Sequence, residues 1–173
     1  MVFEAGTDPC PTINWNEDIT DEQAEDSLGK LVGYVAGCGY SVEFSHRCHA
    51  RISHATRTIH IDSSKGLKKM YYVLLHESAH MIINLKNTLP NGDVTPYVFL
   101  YPGLSNRKMS AQPLDTNRYM VSLVHEELDA WRKGADLAHV LQLPLDMYRY
   151  TQLAYKAVGT YIKAASEYCS EEI

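Results

Sequence analysis

Between Leu67 and Leu85 apolar residues recur with a period near 3.6, at Leu67, Met70, Tyr71, Leu74, Leu75, Ala79, Ile82 and Ile83, which commits the stretch to an amphipathic helix. At its centre stands His76-Glu77-Ser78-Ala79-His80. Positions i and i+4 of a helix lie one turn apart on one face, so the two imidazoles are directed at a common point. Burying polar side chains unpaired is costly, and three of them sit here between the apolar flanks Tyr72 to Leu75 and Met81 to Ile83. The fold must therefore bring further polar groups against this face.

The motif is specific. With 8 His in 173 residues, independent placement would produce His-Glu-x-x-His only about 0.02 times in a chain of this length. Its chemistry matches Zn²⁺, which takes nitrogen, sulfur and oxygen ligands tetrahedrally and, in catalytic sites, uses three protein ligands and leaves one position for water. His76 and His80 supply two of these. Glu77, next to the first, is placed to take a proton from the activated water rather than to bind the ion.

A third ligand has to come from another element. A second helical stretch, from about Asn117 to Leu141, offers Glu126 and Glu127 in succession. Met120, Val124, Glu127, Ala130, Trp131 and Gly134 share its inward face, whereas Glu126 falls on the edge with Tyr119, Ser122 and Lys133. Phase favours Glu127, with Glu126 as the fallback. His125 lies about 200° from Glu127 around that helix and is not expected to ligate with it. Asn84 and Asp129 are candidates to hold the second ring nitrogen of a ligating histidine.

The rest of the chain narrows the setting. A formal charge of -5 and a pI near 5.9 exclude the broad basic face that phosphate neutralisation requires, so no nucleic-acid partner is expected. Cys10, Cys38, Cys48 and Cys169 form no C-x-x-C pair, which argues for reduced thiols over a disulfide framework or a structural zinc site. The first residues lack a signal peptide's basic-then-apolar order and no apolar run is long enough to span a bilayer. A soluble cytoplasmic protein with no membrane partner is the expectation.

Residues 1 to 20 read as irregular. Thr20 and Gln23 form a capping-box pattern opening a helix over 21 to 37. Alternation between Tyr40 and Asp62 predicts two or three short strands. Ser63 and Ser64 are candidate caps for the motif helix, and residues 88 to 116, with Pro90, Pro96, Pro102 and Pro113, read as a long loop around an apolar run from Tyr97 to Tyr101. A last helix follows Pro144 toward Tyr168. His46, Cys48, His49, His54 and His60 alternate too sharply to chelate one ion and read as strand and turn residues. Tyr148, Tyr150, Tyr155 and Tyr161 read as helix packing with wet phenol tips. Tyr97, Tyr101, Arg118, Tyr119 and His125 are all available as donors to an oxyanion.

The Ile-His-Ile run at 59 to 61, His76-Glu77-x-x-His80 and Glu127-Leu128-Asp129-Ala130 together resemble the zincin metallopeptidases, in particular the type with a glutamate third ligand, similar to ImmA/IrrE-like proteases of phages and bacteria. The resemblance spans residues 57 to 141. It departs from that pattern at Trp131, where the family carries Asn. It implies an edge strand, here residues 57 to 62, that binds substrate in extended form by β-addition.

The expectation is thus a single α+β domain over 1 to 173, zincin-like, with a small twisted sheet packed on the motif helix and further C-terminal helices. Zn²⁺ would be held by His76, His80 and Glu127, with Glu77 as general base in peptide-bond hydrolysis of a protein or peptide substrate. Two other classes share these residues: a zincin-like binding protein that captures a partner through the 88 to 116 loop, and a zinc amidase acting on a non-protein substrate.

Overall fold

The structure is a computed structural model that describes residues 18 to 87 and 113 to 170. Helix α1 (Asp21–Gly37) opens on the capping box: the Gln23 amide donates to Thr20 Oγ1 at 3.1 Å and the Thr20 amide to Gln23 Oε1 at 2.8 Å. Ala24, Leu28, Leu31 and Val35 form its buried stripe. The helix stops at Cys38, and Gly39 follows with φ +78°, a conformation that favours glycine.

Three strands come next: β1 (Ser41–Ser45), β2 (Arg51–Ser53) and β3 (Thr58–Asp62). Their order in the sheet is β1-β3-β2, with β1 parallel and β2 antiparallel to β3. This corrects one expectation. Residues 57 to 62 do not form a free edge; β3 is the central strand, and Ile59 and Ile61 are its core residues. Among the described residues, β1 and β2 are the edges.

Helix α2 (Leu67–Asn87) carries the histidine motif and lies at the centre of the fold, packed on the sheet and on α1 and α3. Neither Ser63 nor Ser64 caps it as expected: Ser64 turns back to Asp62, its hydroxyl donating to Asp62 Oδ1 at 2.7 Å and its amide at 3.0 Å. Tyr71, Leu74, Leu75 and Met81 make the buried face of α2.

Helix α3 (Pro113–Val140) begins earlier than periodicity implied, with Pro113 in the first helical position, where its missing N–H costs nothing. Residues 113 to 116 are therefore helix and not loop; the remainder of the loop and its apolar run at 97 to 101 lie outside the described residues, as do the first 17 residues. α3 ends in a Schellman motif. The Leu143 amide donates to Ala138 O at 2.8 Å and the Gln142 amide to His139 O at 3.0 Å, with Gln142 left-handed at φ 53°. Helix α4 (Met147–Ser170) starts on Asp146, whose Oδ1 accepts from the Arg149 amide at 3.0 Å.

The described residues thus give an α+β architecture, and none of their helices is long and apolar enough to cross a membrane. Among the described glycines, Gly134 on α3 is the one where an added side chain would be most crowded. A Cβ there would meet the Tyr150 hydroxyl and lie 3.1 Å from Leu75 O. The Tyr150 hydroxyl donates to Trp131 O at 3.0 Å, which ties α4 to α3 at the same level. Gly134→Ala is expected to lower stability by about 1–3 kcal/mol through overpacking, read as a shift in the denaturant midpoint; an unchanged midpoint would show that α2 and α3 are not held this close.

Candidate metal centre

α2 directs His76, Glu77 and His80 toward α3, and α3 answers with Glu127. Glu127 Oε2 lies 3.2 Å from His76 Nε2, and its Oε1 lies 3.4 Å from His80 Nε2. One carboxylate therefore spans both imidazoles. The two rings stand 4.7 Å apart, nearly perpendicular at 82°. One ligand atom from each of His76, His80 and Glu127 falls within 4.8 Å of the others, so the three could hold a metal ion. Two neutral imidazole nitrogens and one carboxylate oxygen form a donor set that suits a divalent cation such as Zn²⁺.

Glu126 faces the other side of His80, with Oε1 3.3 Å from Nδ1. Of the two adjacent glutamates, Glu127 faces the common point, as its phase implied, while Glu126, the fallback ligand, pairs with the far side of the His80 ring. His76 has no such support. Its Nδ1 is buried without a hydrogen-bond partner among the described residues, and the ring instead stacks on Trp131 at 4.2 Å and 20°. Neither candidate for its support takes that role: the Asn84 amide donates to the Tyr40 hydroxyl at 3.4 Å, and Asp129 pairs with Arg132 and Lys133. Trp131 thus stands against the ring of His76 where a hydrogen-bonding partner would otherwise be expected.

Burial shapes the electrostatics. It disfavours the charged form of His76 and lowers its pKa, leaving that ring neutral. Burial opposes the charge of His80 as well, but the Glu126 and Glu127 carboxylates outweigh it and push its pKa up to about 10. Burial would raise the Glu127 carboxyl too, yet the two histidines hold it well below the usual carboxylate range. Glu77 is 7% exposed, and burial raises its carboxyl to about 7, with His80 opposing and Glu127 reinforcing the shift.

Two residues set aside on sequence grounds belong to the surroundings. His54, in the turn after β2, has its Nδ1 3.1 Å from the Tyr40 hydroxyl, and its pKa is lowered by burial first and by His80 next. Tyr161, on α4, has its phenol pKa raised by burial and then by the charges of Glu127, Glu77 and Glu126, so it faces the carboxylates. It continues the inward stripe of Tyr150, Ala154, Ala157 and Val158, the signal that distinguishes it from Tyr148 and Tyr155, which are exposed. The remaining histidines stay apart: His60 pairs across strands with Glu43, and His46 and His49 are exposed. Among the oxyanion candidates, His125 sits on the exposed side of α3, Tyr97 and Tyr101 lie outside the described residues, and so do the side chains of Arg118 and Tyr119.

No family model matches the chain, and neither a curated protein nor a solved structure matches it.

The charge arrangement makes a metal-binding prediction. A ligating His80 must be neutral, so at pH 7 ion uptake should release about one proton and affinity should rise with pH until the imidazolium is gone, near its pKa of about 10. Calorimetry in buffers of different ionisation enthalpy reads this release. Glu127→Ala should abolish stoichiometric binding while Glu126→Ala weakens it by about 10–100-fold; equal losses in the two variants would contradict the assignment of Glu127.

Proposed function

We propose that this chain is a zinc metallopeptidase of the zincin type, with His76, His80 and Glu127 as ligands and Glu77 as general base. The observation that carries the reading is geometric: one ligand atom from each of His76, His80 and Glu127 falls within 4.8 Å of the others, and the buried carboxyl of Glu77, raised by desolvation to about 7, lies beside them. A merely structural helix gains nothing from such a group, whereas a general base works best with a pKa close to the operating pH.

Bound Zn²⁺ would supply Lewis acidity, acidifying a water and polarising the carbonyl to be attacked. Glu77 accepts the proton of the attacking water and passes it to the leaving amine nitrogen as the C–N bond breaks. His76, stacked on Trp131, and His80, paired with Glu126, fix the ligand geometry. Tyr161, whose phenol faces the carboxylates and shares a side-chain hydrogen bond with Glu127, is the donor we assign to the developing oxyanion. Substrate strand addition, if it is used, falls to β2 or β1 and not to 57 to 62.

Glu77→Gln should cut turnover by about 10²–10⁴-fold while zinc content by elemental analysis stays at the wild-type level. The acid limb of activity should lie at or below about 7, since a nearby cation lowers a carboxyl pKa. Full biological activity in Glu77→Gln would instead favour the zincin-like binding protein, and turnover confined to non-peptide amides would favour the amidase. Tyr161→Phe should lower kcat by about 10²–10³-fold with zinc content unchanged; a loss of metal in that variant would mean that the phenol holds the ligands and not the oxyanion.

A further inference from the structure

On α2 the residues 69, 73, 76, 77 and 80 fall within about 100° of one another by the 3.6-residue repeat. The face that bears the candidate metal ligands thus continues toward the N-terminus of the helix as Val73 and Lys69. That continuation is not flat. A cavity of about 380 Å³ opens there, between α2, the end of β3 and the loop that joins β1 to β2. Its apolar walls include Ile61, Met70 and Val73, and Arg47, Lys65 and Lys69 stand around it. In a chain of formal charge -5, this grouping of three cations is a local reversal of sign.

The wall contains one carboxylate, Asp62, and its charge is already engaged. Asp62 Oδ1 accepts from the Arg47 amide at 2.8 Å and from the Ser64 amide and hydroxyl, and Oδ2 pairs with Lys65 at 3.4 Å. Arg47 and Lys69 make no ion pair among the described residues. Arg47 also holds a left-handed backbone, φ 55°, which is unfavourable for a residue with a side chain and is maintained here by its amide bond to Asp62. The fold therefore fixes the base of this guanidinium at the cavity mouth. The same loop runs directly into β2, an edge strand of the sheet among the described residues.

We propose that this cavity is a substrate subsite that takes an acidic side chain, Asp or Glu, of an extended peptide whose scissile bond lies at the His76, His80 and Glu127 centre. The proposal rests on reading that centre as a site of peptide hydrolysis. The rise of a helix puts the cavity about 6–12 Å from Glu77 along α2, the length of about two to four residues of extended chain. The apolar walls receive the methylenes of the side chain, and Arg47 and Lys69 receive its carboxylate, Arg47 with the geometry for a bidentate pair.

Two measurements on the full chain separate this subsite from the reaction. In the first, zinc-loaded Glu77→Gln selects from a random peptide display library. The expected result is enrichment of Asp and Glu by about tenfold at one position, lost in the background of Arg47→Glu with Lys69→Glu, and weakened by salt. Melting curves of the doubly substituted chain establish that it is folded; should it not be, Lys69→Glu alone, at an exposed position, serves in its place. In the second, wild type digests a proteome-derived peptide library and the new termini are read by mass spectrometry. Acidic enrichment together with cuts about two to four residues away supports both the subsite and the peptidase. Acidic enrichment without any cut upholds an acidic-peptide site and sinks the peptidase. Cuts with no acidic preference, or a preference unchanged by the charge reversal, overturn the subsite and leave the peptidase standing. No enrichment and no cuts overturn both.

Discussion

The approach of α3 to α2 is the constraint on which the rest depends. A single carboxylate, Glu127, reaches two imidazoles one turn apart on the facing helix, and it can do so only because the backbones come close where Gly134 lies against Leu75. Tyr150 and Trp131 close the same layer from α4 and α3. Rotation of α3 about its axis is thereby limited, and rotation is what decides which of two consecutive glutamates points inward. A helix turn of 100° would exchange Glu126 for Glu127.

The charges within this layer are mutually dependent. His80 carries its proton because two carboxylates face it, and Glu127 remains ionised despite burial because two histidines face it. At Glu77 desolvation outweighs the opposing charge of His80 and leaves the carboxyl near neutrality. Two acidic side chains within one cluster, Glu77 and Glu127, therefore occupy different electrostatic states, which is the condition for assigning them different roles. The same principle operates at Asp62, where hydrogen bonds from Ser64 and Arg47 absorb a carboxylate's charge and leave the surrounding cations to set the local sign.

Much of this was legible in the sequence, for identifiable reasons. Helices α1 and α2 announced themselves by capping-box chemistry and by long apolar periodicity, and helix phase alone placed Glu127 inward and Glu126 at the edge. What sequence could not supply was pairing. Strand order depends on contacts between segments, so the Ile-His-Ile run read as an edge while it lies in the middle of the sheet. Partner choice among polar residues depends on the same contacts: Asp129 pairs with Arg132 and Lys133, and the Asn84 amide donates to Tyr40. Helix phase placed Trp131 on the inward face with Glu127, but its stacking on His76 leaves no trace in spacing. His54 and Tyr161 reach the cluster through the tertiary fold, from a turn and from the last helix.

The ligands of the candidate centre lie on both sides of residues 88 to 112, with His76 and His80 before that segment and Glu127 after it. An ion held by all three closes the chain into a loop, in the manner of a crosslink, and constrains the unfolded ensemble only where it is retained there. Closure entropy grows slowly with contour length, at about 0.6 kcal/mol for each doubling. The segment between the ligands is thus free to vary in length over evolutionary time at small thermodynamic cost, while the phase of the two helices that flank it is not.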